Sequence, residues 1–218
     1  LKLIFQLMIS WKLFQKKLAM SIKHVIAGID EAGRGALAGP VVAAACHLSD
    51  KKITSVKITD SKMMTEKERE ESFKYLVNNF PYGVGIVDAG FIDSDGILAA
   101  TEKAMQIAVE ELSKIVRPTY LLVDGRDKFW FDIPHSSVIK GDQKEKCIAA
   151  ASIIAKVTRD HIMKDEDIVE PGYLFAEHKG YGTEAHFDAI SKKGISNLHR
   201  RPFLRNLESE SPVGAFSK

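Results

Sequence analysis

Residues 25–48 read VIAGIDEAGRGALAGPVVAAACHL. Two runs rich in β-branched and small apolar residues, VIAGID (25–30) and VVAAACHL (41–48), lie either side of a turn built on Gly33, Gly35 and Gly39 and closed by Pro40. That alternation of apolar run, glycine turn and apolar run predicts two neighbouring strands of one sheet. Asp30 and Glu31 close the first strand, where burial of an unpaired anion costs several kcal/mol, on the order of that for any desolvated charge. Adjacent acids on a strand point to opposite faces and repel each other unless a cation stands between them.

Outward from this stretch the periodicity changes in type. ITSVKI (53–58) predicts a third strand. Thr65 followed by Glu68 is a capping box, so a helix runs from there to about Asn79 and stops before Pro81. YGVGIV (82–87) is a fourth strand, and Leu98, Met105, Ala108, Leu112 and Ile115 mark a helix over about 97–116 that Pro118 ends. TYLLVD (119–124) is a fifth strand that also finishes on a carboxylate. KCIAAASIIAKVTRDHIM lies in a helix of about 145–164, whose Ala149, Ala150, Ala151 and Ala155 make a thin face able to lie close against a sheet. A shorter helix follows near 184–193. Strands first, then alternating helix and strand, give an α/β fold: a mixed five-stranded sheet flanked by helices, with a small helical C-terminal part.

The 218 residues suit one catalytic domain, expected over 23–208, with a basic N-terminal extension (1–22) and a tail (209–218). Residues 1–23 hold five of the 31 basic side chains and no acid, leaving 26 basic against 29 acidic side chains in the remainder. The body is therefore no general cationic binder of nucleic acid, and any such binding comes from local patches. The leader has an apolar run, Leu3 to Trp11, followed by its main lysine cluster, the reverse of a secretory signal, and the run is shorter than the roughly 18–20 residues of a membrane span. Met20 is a candidate start. Cys46 and Cys147 lack CxxC spacing, so neither a disulfide framework nor a zinc site is suggested, which suits a reducing, cytoplasmic setting without a membrane.

Four acids stand where apolar segments end: Asp30, Glu31, Asp124 and Asp142. Each has an ordinary reading. Asp142 before the alanine-rich helix suits an N-cap, and Asp124-Gly125 is a common turn dipeptide. Together they suit hard divalent cations such as Mg²⁺ or Mn²⁺. The seven histidines lack ligand spacing and read as structural or solvated. The glycine turn is neither a Walker loop nor a dinucleotide fingerprint. It serves either to turn the chain or to bring bare backbone, with Arg34, beside the metals.

DEAGRGALAGP, DSK (60–62), VDG (123–125), KGD (140–142), AAASIIAKVTRD and HKGYGT (178–183) occur in an order that resembles ribonuclease HII, the type 2 ribonuclease H family, over roughly residues 25–190. The long N-terminal domain of the related ribonuclease HIII has no room in the two dozen residues before the first strand. The resemblance implies an RNase H-like sheet and hydrolysis of RNA in RNA–DNA hybrids. It also implies incision 5′ of single ribonucleotides in duplex DNA, with 3′-hydroxyl and 5′-phosphate ends from a two-metal mechanism. Carried onto this chain, Asp30, Glu31, Asp124 and Asp142 are the catalytic metal ligands for Mn²⁺ or Mg²⁺. Gly33, Arg34 and Gly35 match the triplet that senses the ribose 2′-hydroxyl, and Tyr181 matches the tyrosine that stacks on the deoxyribose beyond the junction. Ser61 and Lys62 are expected to hold backbone phosphates. Lys192, Lys193, Arg200, Arg201 and Arg205, with Phe203, are expected to form the surface supporting the duplex. Gly96 departs from the family's usual Asn.

The implied partners are RNA–DNA hybrid and ribonucleotide-containing duplex, bound by a monomer; no segment is assigned to a replication clamp. Two rival readings are a nuclease of the same sheet class acting on structured DNA and a hybrid-binding module without catalysis. The second would lack at least one of the four acids, and all four are present.

Overall fold

The computed structural model describes residues 24–49 and 56–204. The apolar runs of the opening stretch become β1 (Ile26–Ala32) and β2 (Val41–Cys46), paired antiparallel with Asp30 opposite Ala44. Helix α1 (Glu66–Asn79) begins at the expected capping box, where the Thr65 hydroxyl accepts from Glu68 N and the Glu68 carboxylate accepts from Thr65 N. Strand β3 (Tyr82–Val87) pairs antiparallel with β2, and β4 (Tyr120–Asp124) lies parallel to β1 on its other side.

The third expected strand, 53–58, is not found among the described residues. Residues 53–55 lie outside the described segments, and 56–58 are not in a strand. Instead β5 (His135–Val138) pairs parallel with β4 at the sheet edge, giving the order β3-β2-β1-β4-β5. Its HSSV sequence has no buried face, so it carries no apolar signal; the backbone ladder to β4 makes it a strand.

Two helical layers cover the sheet. Helix α2 (Ala89–Ser113) starts seven or eight residues before the expected position, capped by Asp88, whose carboxylate accepts from Phe91 N at 2.8 Å. It bends at Gly96, whose φ of 85° is a left-handed value that side chains rarely adopt. Beyond the bend Ala100, Ala104, Met105, Ala108 and Leu112 pack on Ile29, Val41, Ala43 and Val123. The fit is close enough that a Cβ on Gly85 would collide with the Ala104 carbonyl.

On the opposite face a short helix, α3 (Gly141–Lys144), leads into α4 (Lys146–Val169). Ala150, Ala151, Ile153, Ile154 and Ala155 of α4 pack with Ala44, Cys46, Leu76 and Phe80. The alanine face does what the sequence suggested: it brings α4 so near β1 that a Cβ on Gly28 would strike the Cys147 backbone.

The C-terminal part consists of α5 (Phe175–His178), α6 (Glu184–Lys193) and a 3-10 turn at Arg201–Phe203. It joins the rest through a third cluster of Ala38, Met163, Tyr173, Phe175 and Ala189. Among the described residues no helix is long and apolar enough to cross a membrane. The leader and tail fall outside the described residues.

Candidate active site

Strand pairing gathers the acids. Ile29 pairs with Val123 in parallel register, so Asp30 and Asp124 follow as the next residues on neighbouring strands, which stand about 4.8 Å apart. The Asp124 Oδ1 accepts a 2.6 Å hydrogen bond from Gly141 N, which tethers the chain segment bearing Asp142 to the end of β4. Glu31 leaves β1 on the face opposite Asp30, as alternation requires. The site thus stands at the carboxyl ends of the two central parallel strands.

The charges in it are poorly compensated. Burial, then the Glu31 and Asp124 charges, push the Asp30 carboxyl well above the usual carboxylate range, while a hydrogen bond from Ser152 opposes the shift. Burial also raises Glu31, against the pull of Arg34, and burial with Asp124 and Asp60 raises Asp142. Arg34 is ion-paired within this group, its Nη1 2.7 Å from Asp127 and 3.3 Å from Glu31.

Among the described residues no three of these side chains already stand in full ligand geometry around one point. The donor set nevertheless fits a hard divalent cation: carboxylate oxygens only, more negative charge than Arg34 offsets, and neither thiol nor imidazole in the group. Asp30, Glu31, Asp124 and Asp142 are the candidates to hold it.

The glycine turn stands beside β1. Gly33 has a φ of 91°, and a Cβ there would run into the Arg159 side chain. Gly35 differs: it is exposed, and a Cβ on it would meet nothing within 4 Å, so no internal contact requires glycine there. Tyr181 is carried to the same place by main-chain pairing, since Gly180 O accepts from Leu37 N at 2.8 Å and Ala38 N at 3.2 Å. The Tyr181 ring lies half-buried, 5.3 Å from the Arg159 guanidinium and 5.9 Å from Lys156. Gly33, Arg34, Gly35 and Tyr181 therefore share one rim.

Ser61 and Lys62 separate. Ser61 is buried and bonds Ser152 at 3.0 Å, which places it beneath Asp30 through a pair of hydroxyls. Lys62 is exposed and near enough to Asp142 to draw its pKa down.

The basic C-terminal stretch needs a correction. Arg200 is fully buried and gives five hydrogen bonds, at 2.7–3.1 Å, to the carbonyls of Gly33, Arg34, Ala36 and Gly39. It is the internal brace of the glycine turn, not part of a duplex-facing surface. Arg201, Lys192 and Lys193 are exposed, and Arg205 lies outside the described residues.

Sequence reading missed Arg159, fully buried on α4, which donates to the carbonyls of Pro40, Ala38 and Lys179 at 2.8–2.9 Å. The one sign of it was an arginine four residues after Ala155 on the otherwise apolar sheet-facing side of that helix. The two arginines lock the glycine turn, the Tyr181 turn and α4 into one body.

An RNase H-like sheet with clustered carboxylates at the ends of its central strands defines the class of protein. The ribonuclease HII family model matches residues 27–206, and the chain belongs to that family. It is 49% identical to the ribonuclease HII of Clostridioides difficile over 84% of this chain and 71% of the relative. Against that of Fusobacterium nucleatum it is 47% identical over 88% of this chain and 91% of the relative. Among solved structures, the ribonuclease H2 of Pyrococcus horikoshii superposes with a TM-score of 0.67 at 26% identity, over 84% of this chain and 97% of the other. The chain is accordingly an endoribonuclease of the ribonuclease H type.

Proposed function

We propose that this protein hydrolyses the RNA strand of RNA–DNA hybrids and incises 5′ of single ribonucleotides embedded in duplex DNA, leaving 3′-hydroxyl and 5′-phosphate ends. The observation that carries this reading is the meeting of Asp30, Glu31, Asp124 and the Asp142 segment beside an open Gly35. Two divalent cations, Mg²⁺ or Mn²⁺, when bound, supply an activated water and a stabilised leaving oxygen.

The chain's own residues do the rest. Asp30 and Asp124 provide anionic oxygens from two adjacent, parallel strands inside the sheet, so their placement costs little reorganisation. Asp142 and Glu31 complete the anionic set from opposite sides. No serine, cysteine or histidine among the described residues stands as an activated nucleophile beside the acids, so the attacking group is water.

Discrimination rests on the rim. The 2′-hydroxyl both donates and accepts; Gly33 shapes the turn, and the exposed backbone at Gly35, free of a side chain, lets a ribose come within hydrogen-bonding distance. Arg34, held by Glu31 and Asp127, would meet a phosphate next to the scissile one. Tyr181 offers a ring face to the sugar on the far side of the junction. Lys62 adds positive charge for the backbone. A monomer in the cytoplasm suffices for all of this.

The test uses three labelled duplexes of one sequence: one ribonucleotide, four ribonucleotides, and none. With Mn²⁺ or Mg²⁺ the first two are cut, the first on the 5′ side of its ribonucleotide, and the all-DNA duplex is spared. Equal cutting of all three would replace this reading with a DNA nuclease of the same sheet class.

A further inference from the structure

Three histidines that the chemistry leaves unused meet behind Tyr181. His186 and His199 are buried, with their Nε2 atoms 3.1 Å apart, and the His178 ring stacks on His186 at a 4.3 Å centroid distance. An approach of two ring nitrogens to 3.1 Å is favourable only if one carries a hydrogen and the other does not.

The surrounding backbone decides which. Ser196 N donates to His199 Nδ1 at 2.9 Å, so that nitrogen is bare and the hydrogen sits on Nε2. At the other end, His186 Nδ1 lies 3.0 Å from the Tyr181 carbonyl, which can only accept, so His186 carries its hydrogen on Nδ1 and leaves Nε2 bare. The two ends agree, and the central contact is an N–H···N bond from His199 to His186. His178 is set the same way: Gly180 N donates to its Nδ1 at 3.1 Å, and its Nε2 donates to the Tyr173 carbonyl at 2.7 Å.

We propose that His186 is a positioning residue: held neutral and in one tautomer by the bond from His199, it donates to the Tyr181 carbonyl and sets Tyr181 against the glycine turn. This rests on the reading of Tyr181 given above. The geometry favours such a role over mere filling, because the bonded pair joins two parts of the site. One end is next in sequence to Arg200, which braces the glycine turn, and the other holds the turn that carries Tyr181. Neutral imidazoles are required, and burial lowers both His186 and His199 to about 4.

Two variants separate positioning from packing. In His186→Asn the amide nitrogen can replace Nδ1 and still donate to Tyr181, at the loss of the bond from His199. In His186→Gln the terminal amide can still accept from His199, at the loss of the bond to Tyr181. Each keeps one of two hydrogen bonds, so similar melting temperatures are expected. On the single-ribonucleotide duplex, His186→Asn is expected to keep kcat/KM within about threefold of wild type and His186→Gln to lose about tenfold or more, the scale of a small displacement in a site.

Losses that simply follow the melting temperatures in both variants would overturn the proposal. On wild-type protein, long-range ¹H–¹⁵N spectra at neutral pH are expected to show hydrogen on Nδ1 of His186 and on Nε2 of His199 and His178, with ¹⁵N–¹⁵N coupling between the two Nε2 atoms. Hydrogen on Nε2 of His186 would also overturn it. Tyr181→Ala serves as the control: if it cleaves like wild type, the functional reading of Tyr181 has failed. If it is impaired and His186→Gln is not, the positioning role of His186 has failed.

Discussion

Arg200 and Asp30 show what single side chains contribute here. Arg200 offers a planar fork, and its Nε, Nη1 and Nη2 groups together make five contacts with four carbonyls of the glycine turn, three of them shared by the two hydrogens of Nη1. A lysine presents three donors at one point and cannot reach both ends of the turn. Arg200→Lys is therefore expected to cost about 3 kcal/mol by chemical denaturation, with several acceptors orphaned at roughly 1–3 kcal/mol each, and to lower cleavage as the glycine turn loosens. Asp30 is the opposite case, a buried acid among other acids that folding does not need. Asp30→Asn is expected to reduce kcat at least a thousandfold while the melting temperature holds or rises. A large fall in melting temperature with activity retained would show Asp30 to be structural. The acids could be found from sequence because each follows an apolar strand or precedes an alanine-rich helix. The burial of Arg200 could not, since its neighbours Arg201 and Arg205 make the segment read as a solvated basic face; only the carbonyls it meets more than 160 positions earlier reveal it.

At the level of elements, strands with apolar faces were readable and the one without such a face was not. β1 to β4 each carry a buried side, whereas β5 is assembled by main-chain pairing to Leu121–Asp124. The start of α2 was missed because Gly96 looks like a helix boundary, yet the chain is helical on both sides of it. That makes a clean test of backbone strain. A Cβ at Gly96 would meet nothing within 4 Å, so Gly96→Ala introduces no clash and only the left-handed φ opposes it. A loss of about 1–2 kcal/mol in denaturant unfolding is expected, with kcat unchanged. A neutral or stabilising result would mean that the bend straightens at no cost.

For the whole molecule, the C-terminal part matters because it holds the rim while the sheet holds the acids. Its buried histidines also tie stability to pH. His186 and His199 are lowered from 6.5 to about 4 by burial, with His178 on the same side; Tyr173, Lys179, Glu177 and Asp167 are the other charged or titratable groups around the cluster. The unfolded chain binds these protons first, so their contribution is complete above about pH 6.5 and is lost as pH falls toward 4. Between pH 7 and pH 5 the wild type is expected to lose on the order of 2 kcal/mol more than His186→Asn, which has one such group fewer. Parallel losses in the two proteins would show that His186 titrates normally.

Manganese soaked into crystals of the full chain, located by its anomalous scattering, is the most direct probe of the acidic group at the ends of β1 and β4. Density bound by Asp30, Asp124 and at least one of Glu31 and Asp142, absent from Asp30→Asn crystals, is the expected result. Manganese bound elsewhere, or bound equally in the variant, would contradict the assignment of these carboxylates as the metal site.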